Sequence, residues 1–337
     1  TGVNPDDIED LILGCAFPEG EQGFNMARLV VLIAGLPISV AGTTVNRFCG
    51  SSMQAIHMAA GAIQMGAGDV FICAGVESMS RIPMSGFNPM PNPALCQSMP
   101  AAYMSMGETA ENVGREYEIS REDQEVFAVT SQRKAGEAQA NGRLSDEIIP
   151  IEVNGNTIDA DGCLRPTTDL EGLAGLKLAF DENGTVTAGT ASPLTDGAAA
   201  TLVCSLEYAN ANGLKPMARI ASIAVSGCKP ETMGLGPIFS SRKALSRAGI
   251  GAQDLDVIEI NEAFATQSIA SIRDLELDTA KVNIDGGAIA IGHPLGATGA
   301  RITGKAAQVL QREGGRYALS TQCIGGGQGI ATVLEAA

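Results

Sequence analysis

Short apolar runs alternate with stretches of helical periodicity along most of this chain, and this alternation limits the possible folds most strongly. The runs at 11–14, 40–45 and 69–74 have the length of buried strands, whereas 24–34 has the spacing of a helix. Strand, helix and strand at this spacing favour an α/β fold in which helices cover a sheet. Further strands are predicted at 256–260, 282–284, 317–321 and 330–334, and further helices at 240–248 and 293–310.

The middle of the chain has a different composition. Residues 79–100 contain four Met and five Pro with neither a helical nor an alternating period, which predicts an irregular excursion. Helices are predicted at 109–117 and, after a capping box at Ser120, at 121–141. A strand at 148–153, a glycine-rich loop at 164–195 and a helix or buried strand at 198–204 follow.

Composition and charge exclude several functional classes. The 337 residues are enough for two or three domains, and a net charge of −16 argues against nucleic acid and anionic membranes as partners. No apolar run has the length of a membrane helix. Eight cysteines in a long chain do not indicate a disulfide framework, so a reducing compartment is expected.

Cys49 lies where a predicted strand gives way to a helix. Ser51 and Ser52 can cap that helix, and the positive end of its dipole favours a thiolate at Cys49. Gly50 would let a bulky substrate approach the sulfur. The alternative is a buried packing cysteine, which is the common case for a cysteine without context.

Two glycine-rich segments favour the catalytic interpretation. His293 lies in a Gly-His-Pro-Leu-Gly loop before a helix, where its ring can project into a cavity. Cys323 is predicted in a turn after a strand and precedes Gly325, and this glycine run can offer backbone N–H groups to an oxyanion. Asn261 ends a strand, whereas His57 lies beside the apolar face of the Cys49 helix and is interpreted as structural.

Together these segments resemble the thiolases, which cleave or form 3-ketoacyl-CoA. The resemblance rests on Cys49, on 286–301 and 323–329, on Asn-Glu-Ala-Phe at 261–264 and on the Gly-x-x-Ser-x-x-x-Asp-Gly-Ala-Ala pattern at 189–199. It implies an α/β fold of two duplicated halves in a layered αβαβα arrangement with an inserted loop domain. A faint repeat of strand, glycine-flanked residue, helix and strand around Cys49 and His293 agrees with such a doubling.

The resemblance also implies domain boundaries. The first half would comprise 1–78 and 195–213, the loop domain 79–194, and the second half 214–337. Relative to the family, we expect the first half to lack an opening strand and helix of roughly 40 residues, and hence the natural protein to be longer.

The family pattern implies catalytic roles for five residues. Cys49 would carry the acyl group and His293 would activate it and help to hold an oxyanion. Cys323 would move the second proton, and Asn261 would position a water beside His293. The amide of Gly325 would pair with that of Cys49 to form the other oxyanion hole.

Five further residues are expected to contact substrate. Ser192 matches the serine on the pantetheine arm of CoA, and Arg165 matches an arginine near the adenine. Phe180 and Met233 match the lining of the acyl pocket, and Met106 is expected to contact substrate beside them. Glu262 is given no direct role.

The resemblance predicts thiolytic cleavage of 3-ketoacyl-CoA to acetyl-CoA and a shortened acyl-CoA, as in fatty-acid β-oxidation. Ser105, where acetoacetyl-CoA thiolases often have histidine, and the Met-rich 79–106 segment favour substrates longer than four carbons. An acetoacetyl-CoA thiolase working in the condensing direction remains an alternative, as does a non-catalytic protein that binds acyl-CoA. A related condensing enzyme is disfavoured by Cys323 and its glycines.

The implied partners are CoA and acyl-CoA, with CoA as a substrate and no metal or other cofactor. A homodimer or homotetramer is expected, and a β-oxidation partner subunit is a further option. The compartment would be the cytoplasm in a bacterium, or the mitochondrion or peroxisome in a eukaryote.

Overall fold

A computed structural model describes residues 1–337, which form ten strands and eleven α-helices. The strands are β1 (Asp10–Gly14), β2 (Ala41–Val45), β3 (Val70–Ser78), β4 (Ile151–Val153), β5 (Asn156–Ile158), β6 (Asp196–Cys204), β7 (Ala218–Gly227), β8 (Val257–Ile260), β9 (Tyr317–Ile324) and β10 (Gln328–Ala336). The helices are α1 (Met26–Ile33), α2 (Ser51–Gln64), α3 (Pro93–Ser98), α4 (Met106–Glu116), α5 (Arg121–Ala140), α6 (Leu170–Ala174), α7 (Leu206–Ala211), α8 (Gly236–Ala248), α9 (Ala265–Asp274), α10 (Ala288–Ile291) and α11 (Leu295–Glu313).

Two four-stranded mixed sheets form the framework. In the first sheet the order is β2-β1-β3-β6, with β6 antiparallel to its parallel neighbours. In the second the order is β7-β10-β9-β8, in which β8 and β9 are parallel and β10 runs against both β9 and β7. The β1-β3-β6 and β8-β9-β10 parts therefore have the same strand directions, in line with a duplicated architecture.

Helices α2 and α11 lie between the two sheets. Helix α11 packs against α2, against β3 and β6 of the first sheet, and against β8 and β9 of the second. Helices α1 and α8 cover the outer faces of the first and second sheets. The layered α/β fold predicted from the sequence is present, and the two central helices carry the glycine-flanked Cys49 and His293 at their N-terminal ends.

The segment between β3 and β6 contributes no strand to either large sheet. It contains four helices and a two-stranded hairpin of β4 and β5, whose turn has positive φ at Asn154 and Gly155. This separation supports the inserted domain at 79–194, which we retain as a proposal with the two flanking halves. None of the helices in the fold combines the length and apolarity needed to cross a bilayer.

Local structure differs from the sequence-based prediction in several places. The strand predicted at 282–284 is only an isolated bridge between Val282 and Ile258. Residues 79–100 contain α3, which is capped by the side chain of Asn92. Helix α4 begins three residues before the predicted 109, because Ser105 forms a capping box with Glu108.

Candidate active site

Cys49 lies in a tight turn between β2 and α2. Phe48 just before it adopts a positive φ of 42°, a strained conformation for a bulky residue. The turn is held by Ser51, whose Oγ accepts from the Arg47 N–H at 2.9 Å and donates to the Phe48 carbonyl at 2.6 Å. The predicted serine cap of α2 is therefore wrong, because Gly50 occupies the cap position and Ser51 is bonded to the preceding turn.

Gly50 is required by close packing in this turn. A Cβ at this position would lie 2.6 Å from the side chain of Ile324 and 3.2 Å from that of Ile330. The absence of a side chain thus lets the Cys49 turn approach the end of β9, which carries Cys323.

The Cys49 thiol is half-buried and its protonation differs from the expected thiolate. Burial raises the pKa of the thiol to about 12, although the Gly325 N–H and the Cys49 N–H, which point at the sulfur, lower it. Desolvation thus outweighs the helix terminus, and the neutral thiol is the resting form. The same two N–H groups are those expected to form an oxyanion hole.

His293 is buried and its ring orientation is fixed by hydrogen bonds. Its Nδ1 lies 2.7 Å from Thr298 Oγ1, and that hydroxyl donates to the Pro294 carbonyl at 3.1 Å. This assigns the proton to Nδ1 and leaves Nε2 as the basic nitrogen. Burial, with a smaller effect of the charge on Arg301, lowers the pKa of His293 to about 3, so the ring is neutral.

Asn261 follows β8 and faces the imidazole. Its Nδ2 is 3.3 Å from His293 Nε2, and its buried Oδ1 has no hydrogen-bond partner. An unpaired buried acceptor beside a neutral imidazole is available to a water or a substrate group. Glu262, next in sequence, accepts from Ser131, Asn283 and the Ile289 N–H, and so fixes the backbone that leads to His293.

Cys323 lies inside β9 rather than in a turn, which corrects the sequence-based placement. It is buried, and burial followed by the neighbouring Cys49 and Cys228 thiols raises its pKa well above the ordinary value. The turn itself begins at Gly325 and connects β9 to β10. Gly326 and Gly327 have φ values of 79° and 83°, a region that favours glycine.

Three predicted substrate-contacting side chains meet next to Cys323. Met106 and Met233 belong to the same apolar cluster as Cys323 and Phe264. The Phe180 ring meets the Phe264 ring edge-on with 5.9 Å between centroids. Phe180 also lines a cavity of about 420 Å³, together with Met104, Glu108, Asn112, Arg115, Asp181, Glu182 and Asn183.

The two predicted CoA contacts are placed differently. Ser192 is half-buried and its N–H donates to the Ala263 carbonyl at 3.0 Å, which holds it at the rim of the apolar cluster. Arg165 is exposed on the inserted segment, where its N–H bonds to Gln132. None of the contacts around Cys49 and His293 reaches Arg165. His57 is buried, with Nε2 2.9 Å from Thr332 Oγ1.

Sequence reasoning missed several residues that build this site. Thr298 orients His293, the Gln322 side chain donates to the Cys49 carbonyl, and Glu77 is a buried carboxylate beside the site. The sequence feature that could have pointed to these residues is their position. Thr298 and Gln322 lie close in sequence to His293 and Cys323, and Glu77 lies near the end of a buried strand. Position alone does not reveal which backbone groups a side chain will bind.

Comparisons with known proteins identify the family of this chain. Residues 1–207 match the model of the thiolase N-terminal domain, and residues 214–336 match that of the thiolase C-terminal domain. The chain belongs to the thiolase family. Both the family and the fold class predicted from the sequence are confirmed.

Similar proteins include 3-ketoacyl-CoA thiolases. The one of Marinomonas sp. is 51% identical over 99% of this chain and 87% of its own length, and that of Bacillus subtilis is 47% identical over 97% and 87%. A 3-oxoadipyl-CoA/3-oxo-5,6-dehydrosuberyl-CoA thiolase of Escherichia coli is 48% identical over 97% and 88%. The crystal structure of human mitochondrial 3-ketoacyl-CoA thiolase in complex with CoA has a TM-score of 0.91 at 39% identity, covering 99% of this chain and 88% of that one.

Proposed function

We propose that the protein catalyses the thiolytic cleavage of a 3-ketoacyl-CoA by CoA, with an acyl-enzyme on Cys49. The observation that carries this proposal is the Cys49 turn itself, in which the Gly325 and Cys49 N–H groups are directed at a single thiol. Such donors stabilise an oxyanion where it develops. The names of the similar proteins favour the same reaction.

In the first half-reaction, His293 Nε2 takes the proton from Cys49 as the sulfur attacks the keto carbon. The resulting oxyanion is held by two donors, and its collapse breaks the bond between the keto carbon and the α-carbon. The α-carbon leaves as the enolate of acetyl-CoA, to which Cys323 gives a proton. Cys49 then carries the shortened acyl group as a thioester.

In the second half-reaction, the thiol of a CoA molecule attacks the Cys49 thioester. Its proton passes to Cys323, which lost one in the first step, and Cys49 recovers its proton from His293 as it leaves. Both catalytic groups therefore return to their starting protonation. Asn261, through its unpaired Oδ1, is placed to hold a water next to His293.

The test is to trap the acyl-enzyme with a 3-ketoacyl-CoA in the absence of free CoA and to locate the acyl group by peptide mass spectrometry. We expect one acyl group on Cys49 and none on the other seven cysteines. Acylation that persists in Cys49→Ala would contradict the proposal. A protein that binds acyl-CoA without acylation would favour the non-catalytic alternative.

We further propose that substrates extend beyond four carbons. The apolar cluster of Met106, Met233 and Phe264 next to Cys323 supports a pocket for an acyl chain. Ser105 caps α4 through Glu108, so a serine at this position has a local structural reason. Comparing kcat/KM for acetoacetyl-CoA with that for 3-ketoacyl-CoA of six to ten carbons tests this, and a strict four-carbon preference would refute it.

A second copy of this chain is the partner that we propose for the face formed by α1 and β2. Strand β2 is an edge of its sheet, and Phe24, Ile33 and Ile38 beside it are 92%, 85% and 77% exposed. Such a patch next to an open strand edge favours association. Light scattering should report a dimer or tetramer, and Ile33→Asp should shift the protein toward the monomer.

We propose the cytoplasm of a bacterium as the compartment of this protein, in line with its bacterial relatives.

A further inference from the structure

A buried carboxylate, Glu77, lies near the end of β3, between the start of α11 and the segment that follows β1. It is only 1% exposed. Its Oε2 accepts from the N–H groups of Ala16 and Gly296, both at 2.8 Å. Its Oε1 accepts from the side-chain amide of Gln22 at 2.8 Å and from the Phe17 N–H at 3.4 Å. All four groups are donors, as is the Cys15 thiol, whose sulfur lies 3.7 Å from Oε1, and a carboxylate surrounded by donors can accept from each of them.

Backbone and amide N–H groups, rather than a cation, satisfy Glu77. One of them belongs to Gly296, the second residue of α11, whose N–H has no partner within its own helix. The positive end of that helix stabilises a nearby anion. A buried carboxylate is otherwise expensive, so its position between two secondary-structure elements points to a specific use.

On one side, Glu77 fixes the helix that orients His293. Gly296 lies in the first turn of α11, two residues before Thr298, whose hydroxyl holds His293 Nδ1. The backbone of Gly296 packs directly against that of Cys15, because a Cβ on Gly296 would lie 2.7 Å from the Cα of Cys15. The start of α11 is therefore held against the end of β1.

On the other side, Glu77 fixes the segment that packs against the nucleophile. The Phe17 ring contacts the Phe48 ring with 6.0 Å between centroids, and Phe48 immediately precedes Cys49. The Ala16 carbonyl accepts from Asn46 in the same turn at 3.0 Å, and the Ala16 side chain packs with Leu295 beside Cys49. One carboxylate thus bonds to backbone on both sides of the reacting thiol.

We propose that Glu77 is a positioning residue that holds the His293 helix and the Cys49 turn at the separation needed for proton transfer between them. This inference rests on the roles proposed above for Cys49 and His293. Both side chains are neutral at rest, so the proton must move during the attack, and that step depends steeply on distance. Glu77 touches neither reacting atom and acts through Gly296, Ala16 and Phe17.

Glu77 also affects the thiol electrostatically, which provides an independent measurement. Its charge contributes to the raised pKa of Cys49, after the larger effect of burial. Removing the charge should therefore make the thiol more acidic and more readily alkylated. Loss of the hydrogen bonds from Gly296, Ala16 and Phe17 to Glu77 should nevertheless slow the acylation of Cys49. A purely structural role for Glu77 would not predict that alkylation of Cys49 becomes faster while its acylation becomes slower.

The test compares Glu77→Gln and Glu77→Asp with the wild type in the full-length protein. Cys49 acetylation by acetyl-CoA is followed by rapid quench and intact-mass spectrometry, and iodoacetamide alkylation of Cys49 is measured against pH. Glu77→Gln should slow acetylation by about 10- to 100-fold and increase the rate of Cys49 alkylation at a given pH. Glu77→Asp, which keeps the charge but retracts it, should slow acetylation without increasing that alkylation rate.

Glu111→Gln is the matched control. Glu111 is also 1% exposed and also accepts from backbone N–H groups, those of Thr185 and Val186, but it lies in α4. Glu111→Gln should reproduce any general loss of stability without changing the rate of Cys49 alkylation at a given pH. If Glu77→Gln does not fold, Glu77→Asp decides the outcome.

Acetylation of a Glu77 variant within about twofold of the wild-type rate would overturn the inference. So would slowing no greater than that caused by Glu111→Gln. A wild-type protein that is not acetylated at Cys49 would instead contradict the proposed function, whereas a failure of the Glu77 inference alone leaves wild-type acetylation intact. The Cys49→Ala variant shows that the acetyl group measured is on Cys49.

Discussion

Burial sets the protonation of Cys49 and His293, the two residues that we propose begin the reaction. It raises the pKa of Cys49 to about 12 and lowers that of His293 to about 3, so both are neutral near pH 7. The thiolate and imidazolium pair is therefore formed during catalysis rather than beforehand. This conclusion could not be drawn from the sequence, which indicated the helix terminus but not the depth of the surrounding protein.

We therefore predict that Cys49 in the free protein reacts like an unactivated thiol. Its alkylation rate should keep rising above about pH 9, past the ordinary thiol range near 8.5, instead of reaching a plateau at neutral pH. The pH dependence of alkylation by iodoacetamide, located by peptide mass spectrometry, measures this. A plateau below about pH 8 would show that a preformed ion pair exists.

Glu259 on β8 should make stability depend on pH. Its Oε1 is buried without a partner, and burial raises its pKa from 4.5 to about 8, against the opposing charges of Lys305 and Arg301. The folded state therefore holds a proton that the unfolded state releases between these values. The free energy of unfolding should fall as pH rises through this window, by up to about 1.4 kcal/mol per pH unit.

Glu259→Gln should remove that slope and stabilise the protein above about pH 8. Urea denaturation of the wild type and variant at several pH values tests this, with Glu122→Gln on the exposed face of α5 as a surface control. Equal pH dependence of the wild type and Glu259→Gln would refute the assignment.

At the scale of elements, regular periodicity was sufficient for most helices and strands. The helical pattern at 24–34 and the apolar runs that end at Gly14 and Ile260 appear in the structure close to their predicted limits. Boundaries set by side-chain hydrogen bonds were missed, as at Ser105 just before α4 and at Ser51, the first residue of α2. The strand predicted at 282–284 is only a single bridge at Val282, because a short apolar run does not show whether a neighbouring strand continues beside it.

The close crossing of α2 and α11 is the element contact that brings the two reactive ends together. A Cβ on Gly299 of α11 would lie 2.3 Å from the Met53 backbone nitrogen of α2. Gly299→Ala should therefore push the helices apart, destabilise the fold by roughly 1–3 kcal/mol and reduce turnover. Thermal unfolding and kcat measurements check both effects.

Gly304→Ala supplies the control on the same helix. There the added Cβ would meet only the methyl group of Thr201, at 3.3 Å, and alanine has the higher helix propensity. This variant should lose much less stability than Gly299→Ala or gain some. Equal losses in the two variants would argue against the helix crossing as the cause.

At the scale of the whole molecule, the order of motifs predicted the layered fold, since the same catalytic elements occur in the same sequence in one family. It did not indicate how the inserted segment is fastened to the second half. That attachment depends on ion pairs between residues more than a hundred positions apart, such as Lys305 and Glu147. Charged residues at such separations carry no pairing signal in a single sequence.

The attachment centres on Asp285, which is fully buried. Lys305, Arg312 and Arg143 lie 2.7, 2.6 and 3.2 Å from its carboxylate oxygens, and Lys305 also reaches Glu147 at 2.8 Å. Burial alone would raise the pKa of Asp285, but Arg312 and Lys305 hold it below its usual value. Arg143 and Glu147 belong to the segment between β3 and β6, so this network joins that segment to α11 and to the loop that carries Asp285.

Lys305→Met should loosen this attachment while preserving most of the packing of α11. Asp285 keeps two arginines, so we expect a loss of about 1–3 kcal/mol, below the 3–5 kcal/mol typical when a buried charge is left unpaired. Hydrogen exchange should accelerate in peptides around 141–165 and remain slow in β9. Arg133→Met, which removes an exposed pair within α5, is the control and should change neither region. Uniform acceleration across β9 and 141–165 would mean that Lys305 supports the core as a whole rather than the junction of the inserted segment.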